Sequence, residues 1–339
     1  MKEALFYEKL DDNRVVCTLC PHNCKLRDGQ YGICGVRQNQ GGTLYTLVYE
    51  KAIAMHVDPI EKKPLFHVFP GSDSFSIATV GCNFSCTFCQ NYDISQMPRA
   101  DRGHVVGQQV SVEQVVASAR RRGCKTIACT YTEPTIFYEY AFDIARLARE
   151  NNIETVFVTN GYINEEPLRN IAPYLLAANV DLKGWDEEFY RKVVGGDLQS
   201  VLNALRLMKK LGIWVEVTTL IVPTYVDNEK ALREIALFIK NELGPETPWH
   251  ISRFYPHYKC THLPMTSLSI LQRAREIGIE VGLRYVYSGN VPGDEGEHTY
   301  CYACGEMLIE RYGFQVLHNR IRQGKCPQCG VVIDGIGMG

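Results

Sequence analysis

At 339 residues, 45% hydrophobic and 22% charged, the chain has enough apolar material for a sizeable core. A net charge of −2 excludes a global field that would draw it to nucleic acid or an anionic lipid surface. No stretch reaches the ~18–20 apolar residues needed to span a bilayer, and the opening MKEALFYEKLDDNRVVC lacks a signal-peptide apolar region, so a cytoplasmic location with no membrane partner is expected.

Taken in chain order, residues 1–70 form a turn-rich, cysteine-rich segment with the spacing Cys17-x2-Cys20-x3-Cys24-x9-Cys34. Residues 44–57 read as one or two short strands, and DPIEKKPLFHVFPG as an irregular connector. Residues 71–290 alternate short apolar β-type runs with helical patterns. Strands are predicted at 75–80, 126–130, 154–159, 178–182, 214–221 and 249–254. Helices are predicted at 111–122, 136–151, 167–175, 198–211 and 228–243. Ser111 with Gln114 reads as a capping box, and Gly123, Gly212 and Gly244 as left-handed helix stops. A helix at 267–277 and a strand at 283–287 complete the series. Six β-then-α units imply a parallel sheet with helical crossovers, whose ligands lie beyond the C-terminal strand ends. Periodicity does not choose between an open doubly wound sheet and a partial barrel. Residues 291–339 read as a separate small module.

Of the 14 cysteines, eleven fall into three tight groups, the pattern of a metalloprotein in a reducing compartment. The N-terminal four suit a closed site holding zinc or an auxiliary [4Fe-4S] cluster. At the C-terminus, Cys301-x2-Cys304 and Cys326-x2-Cys329 are two knuckles of a zinc-ribbon or rubredoxin-like site, with structural zinc as the reading and redox iron as the alternative. Gly305 and Gly330, each following a knuckle, permit the tight turn.

The central group is Cys82-x3-Cys86-x2-Cys89 in TVGCNFSCTFCQNYDISQ, just after the first strand of the series. Three thiolates hold three irons of a cubane cluster and leave the fourth iron without a protein ligand. That open iron can take the amino and carboxylate groups of S-adenosylmethionine (SAM), placing its sulfonium for reductive cleavage to a 5′-deoxyadenosyl radical. Structural zinc is the plain alternative, but it wants four ligands and this group offers three.

This motif and context resemble the radical SAM superfamily. The segments GCNFSCTFCQNYDISQ, YTEPT, TNGYI, DLKG, EKKPLFH and YSGNVPG further resemble the radical SAM enzyme of the AmmeMemoRadiSam system, related to pyruvate formate-lyase activating enzymes. The resemblance implies a partial (β/α)6 TIM-like barrel flanked by the two cysteine-rich ends. It implies SAM contacts from Phe88, Glu133, Asn160, Asp181, Lys183 and His257, a reductant protein, and Ammecr-type and Memo-type partners. In YTEPT the glycines of the superfamily's Gly-Gly-Glu segment are replaced. Where activases carry an arginine on the fifth strand, this chain has Thr218, which weakens a glycyl-radical-enzyme substrate.

Cys124 and Cys129 read as small core residues, Cys260 as an incidental thiol near the site, and Tyr131, Tyr138 and Tyr162 as lining of its mouth. The sequence therefore points to a radical SAM enzyme. A glycyl-radical activase is the enzyme alternative. A zinc-bearing protein- or nucleic-acid-binding module is the alternative of another class.

Overall fold

A computed structural model describes residues 1–339. Eight short runs pair into one sheet: β1 Ala54–Pro59, β2 Asp73–Ala78, β3 Thr126–Cys129, β4 Glu154–Thr159, β5 Ala177–Asp181, β6 Trp214–Ile221, β7 Trp249–Arg253 and β8 Val286–Gly289. Spatial order follows chain order throughout; β1 is antiparallel to β2, and β2 to β8 are parallel. An open doubly wound sheet reverses its strand order at a switch point. Here the winding never reverses, and β1 and β8 do not pair, so the sheet is a barrel left open along one side. The sheet begins upstream of residue 71, in the stretch read as N-terminal segment.

The crossovers are α1 Val112–Arg121, α2 Tyr138–Glu150, α3 Glu165–Ile171, α4 Leu198–Lys210, α5 Glu229–Phe238 and α6 Leu268–Val281. In α1, Val112, Val115, Val116 and Ala119 are the buried residues, the i, i+3, i+4, i+7 stripe of a helix lying on a sheet. Its Ser111–Gln114 box is closed in both directions, at 3.3 and 2.8 Å. Gly123 and Gly212 stop their helices at φ +68 and +78°. Gly244 departs from the expected stop: with φ 104° and ψ 146° it turns the chain away in a more extended conformation. No helix is long and apolar enough to cross a membrane.

The connector 60–71 explains which end of the barrel is available. It crosses the inner face near the strand starts, where Pro64 O accepts from Asn179 of β5 (2.8 Å). Phe66 N and His67 N then donate to the Glu216 carboxylate of β6 (3.0 and 2.8 Å), and the His67 ring meets Tyr287 of β8 (2.6 Å). The C-terminal module, built on strands Thr299–Tyr300, Met307–Tyr312 and Gln315–Asn319, seals this end. Its Arg311 donates to Phe66 O (3.0 Å), and His67 contacts Asp334 O (2.6 Å). Phe66, Tyr285 and Tyr287 share a small apolar core with Cys301, Leu308, Ile309 and Cys326. The opposite end, beyond the C-terminal strand ends, stays free for ligands.

Candidate active site

Beyond the end of β2 the chain passes Gly81 into the cysteine loop. Gly81 is required there: it has φ +104°, and a Cβ would lie 2.8 Å from Val36 Cγ1 and 3.3 Å from Cys34 O. Cys82 and Cys86 are buried and Cys89 is half-buried. Phe84 N donates to Cys82 Sγ (3.3 Å), the Asn160 amide approaches the same sulfur (3.7 Å), and Cys89 Sγ meets Ser95 Oγ (3.3 Å). The loop is tied to the β5–α4 connection by Ser85 N to Val194 O (2.8 Å) and Thr87 N to Val193 O (3.1 Å). Three thiols on one loop, with sulfurs already receiving donors, fit a three-coordinating iron–sulfur site.

Burial pushes the Cys86 thiol up to about 12, against the pull of Lys183. Burial and the nearby Glu133 carboxylate push Cys82 up as well. Such thiols ionise when a metal compensates their charge.

Lys183 and Asp181, at the end of β5, pair at 2.7 Å and lie close enough to Cys86 for their charges to act on it. They offer one cation and one anion beside the loop. Asn160, at the end of β4, donates to Asn83 Oδ1 (2.8 Å) as well as approaching Cys82. His257 lies against Tyr92 just beyond the loop, ring centroids 5.4 Å apart.

Two of the expected SAM contacts also have partners within the chain. Glu133 is fully buried, and its oxygens accept from Thr135 N (2.9 Å), Thr135 Oγ1 (2.6 Å), Thr159 Oγ1 (2.7 Å) and Asn160 N (2.8 Å). Three of these donors converge on Oε1 and one, Asn160 N, on Oε2, so Glu133 braces the ends of β3 and β4 and holds Asn160 against Cys82. Phe88 is buried and stacked on Phe189, centroids 6.0 Å apart and planes 2° from parallel, which commits one ring face to packing. Thr218 donates to Asn179 (2.9 Å), inside the barrel.

Sequence reasoning missed two groups, Asn83 and the Asp58–Lys63 pair that meets Tyr131. Asn83 is fully buried between the cysteines and donates to Tyr162 O (2.8 Å), while its own carbonyl accepts from Arg99 (2.9 Å) and contacts His22 (2.8 Å). The second group lies at the open side of the barrel. Asp58 binds Lys63 (2.7 Å), Lys62 (2.8 Å), Ser76 (2.8 Å) and the Tyr131 hydroxyl. Lys63, 1% exposed, sits 4.5 Å over the Tyr131 ring, and burial lowers its pKa to about 8 despite Asp58. Tyr131 occupies the replaced glycine position with φ +64°, a strained conformation for a side chain with a Cβ. The adjacent lysines of EKKPLFH, in an otherwise apolar connector, were the available signal.

The C-terminal cysteines bring all four sulfurs within 4.8 Å of one another, with Cys301–Cys329 at 3.6 Å and Cys304–Cys326 at 3.7 Å. Gly305 N and Gly330 N close the knuckles onto Cys301 O and Cys326 O, both at 2.9 Å. This group can bind a metal ion.

Comparison with known proteins agrees with this geometry. The family model of the Radical SAM superfamily matches residues 76–239, the span from within β2 to the end of α5. An uncharacterized protein of Methanocaldococcus jannaschii is 48% identical over 336 residues, covering 98% of this chain and 99% of its own. The pyruvate formate-lyase-activating enzyme of Clostridium pasteurianum is 26% identical over 170 residues, 48% of this chain and 67% of that protein. Among solved structures, a radical SAM methyltransferase from Sphaerobacter thermophilus shares the fold at a TM-score of 0.52 and 18% identity, over 68% of this chain and 71% of that one. With its cysteine loop at the ligand-binding end of a one-directional barrel, the chain belongs to the radical SAM superfamily and is an enzyme of that superfamily.

Proposed function

We propose that this enzyme reductively cleaves SAM at a [4Fe-4S] cluster held by Cys82, Cys86 and Cys89, and abstracts hydrogen from a substrate admitted at the open side of the barrel. The observation that carries the reading is the three-thiol loop beyond β2 with the Asp181–Lys183 pair beside it. When bound, cluster and SAM supply a 5′-deoxyadenosyl radical. Lys183 and Asp181 would hold the charged amino-acid end of SAM, Asn160 steadies Cys82, and His257 would contact the nucleoside end. Glu133 acts through Asn160. Phe88 backs the loop by packing on Phe189. Asp58, Lys63 and Tyr131 supply polar groups for the substrate.

The test uses anaerobically reconstituted protein with SAM and dithionite, quantifying 5′-deoxyadenosine with Cys89→Ala as control. Cluster-dependent product supports the proposal; product retained in Cys89→Ala refutes it. The similarity to a pyruvate formate-lyase-activating enzyme favours one second reading, an activase that installs a glycyl radical on a partner protein. A glycyl EPR doublet on that partner would establish it, and Thr218 in place of an arginine argues against it. The segments shared with the AmmeMemoRadiSam radical SAM enzyme support Ammecr-type and Memo-type partners alongside a reductant protein. At the C-terminus, sulfur separations of 3.6 and 3.7 Å suit four thiolates at about 2.3 Å from one tetrahedral zinc.

A further inference from the structure

The three cysteine groups differ in spacing. Only the C-terminal sulfurs all close to within 4.8 Å of one another; the central three and the N-terminal four stand wider apart. A single tetrahedral ion draws its thiolates together. In a cubane each thiolate binds a different iron, so the width of the cube separates the sulfurs. The N-terminal group nevertheless shares one pocket. A Cβ at Gly32 would touch both Cys34 Sγ (3.7 Å) and Cys24 Sγ (3.8 Å). Cys17 N donates to Cys24 O (3.0 Å), and Ile33 N approaches Cys24 Sγ (3.5 Å).

Two further observations point to an anionic group there, next to the central loop. Arg37 is 1% exposed; its Nη2 bonds the Glu139 carboxylate and Leu5 O, while Nε and Nη1 have no hydrogen-bond partner, and after Glu139 the charges that act on it most are those of Cys17, Cys34 and Cys20. Buried donors of this kind call for an acceptor. The pocket also abuts the site of SAM chemistry: Cys34 O lies against Gly81, the neighbour of Cys82. His22, two residues from Cys20, contacts Asn83 O (2.8 Å) and packs on Tyr162, centroids 5.0 Å apart.

We infer that Cys17, Cys20, Cys24 and Cys34 hold a second [4Fe-4S] cluster that relays single electrons to the central cysteine site. The inference rests on the function proposed above. A low-potential, ferredoxin-class carrier reduces the N-terminal cluster from the 2+ to the 1+ state. The cluster returns to 2+ as that electron passes on past His22 and Asn83, with no bond made or broken and no proton required.

The test starts with the unmutated chain, reconstituted anaerobically. It should bind about eight irons, four per cubane, and on full reduction show the broadened, fast-relaxing EPR signal of two coupled clusters. The double variant Cys20→Ser/Cys34→Ser should lose about half the iron. It should keep dithionite-driven 5′-deoxyadenosine formation but lose at least ten-fold in the rate driven by reduced ferredoxin. Four irons with zinc in the N-terminal site of the unmutated protein would overturn the inference, as would two clusters with no magnetic interaction. An unchanged ferredoxin-driven rate in the variant would overturn the relay. If dithionite yields no 5′-deoxyadenosine from a chain carrying both clusters, the failure lies with the proposed function, because iron content and spin coupling report on the second cluster independently.

Discussion

Glu216→Gln tests how the connector is held across the barrel. Glu216 is fully buried; Oε1 receives His67 N (2.8 Å) and Trp214 Nε1 (3.1 Å), and Oε2 receives Phe66 N (3.0 Å) and His250 Nε2 (2.7 Å). Glutamine keeps the shape but has one acceptor oxygen, so either amide orientation turns an NH2 group toward two of those partners. At about 1–3 kcal/mol for each buried donor left unpaired, the cost is about 2–5 kcal/mol once the lower desolvation cost of a neutral side chain is included. Urea unfolding of the anaerobic holoprotein measures it, and limited proteolysis should open the connector near residues 60–71. The pH dependence has a definite sign. Burial raises the Glu216 pKa, but His250 and the other donors outweigh it, so the net shift is downward. A carboxyl with a depressed folded pKa stabilises above its unfolded value of about 4.3 and loses that contribution as pH falls through the folded value. The gap between wild type and Glu216→Gln should therefore be full at neutral pH and shrink on acidification below about pH 4. A midpoint change worth under about 1 kcal/mol, or a gap that widens in acid, refutes the reasoning.

Three other perturbations have defined outcomes. Lys183→Met removes the cation beside Cys86 and leaves Asp181 unpaired; SAM affinity, read by equilibrium dialysis on the cluster-loaded protein, should fall about ten-fold or more, equivalent to about 1.4 kcal/mol, with iron content unchanged. Arg37→Met strands the buried Glu139 carboxylate, which Arg37 bonds and which also accepts from Leu5 N (2.7 Å); the expected destabilisation is about 3–5 kcal/mol, and Arg37→Met/Glu139→Leu should recover much of it in the same unfolding assay. Cys326→Ser should lose the C-terminal metal and expose residues 298–339 to protease while the iron content stays constant, because Cys326 belongs to the small apolar core at the far end of the barrel.

The parallel series was legible because each of its elements carries its own signal. Short β-type runs, a capping box and an amphipathic stripe such as Val112-Val115-Val116-Ala119 are local properties. Periodicity did not decide between barrel and open sheet, since strand order depends on where crossovers pack and not on period; the barrel was implied only by the resemblance that the cysteine motif carries. The cysteine groups were visible from spacing alone. What escaped was the set of residues whose role depends on distant partners. Asn83 looks like an ordinary loop asparagine until Asn160, Tyr162, Arg99 and His22 converge on it. Lys63 looks exposed in sequence, yet the connector carries it inside, against Asp58 and Tyr131. Glu133 shows the same dependence: its position in YTEPT identifies the segment, while its four donors come from the folded ends of two strands.

The placement of the cysteine groups separates their chemistry. The central and N-terminal groups meet at the ligand end, joined through Gly81, Asn83 and His22. The C-terminal group lies at the opposite end, on Tyr285, Tyr287 and the connector. A metal bound there would be too remote to touch the cysteine loop, but it would fix the module that holds Phe66 and His67 under the barrel floor. Loss of that metal should therefore reach the active site through the connector, by loosening Lys63 and Asp58. The close-spaced thiols at the floor and the thiol groups at the ligand end fit the proposed division between structural closure and electron handling.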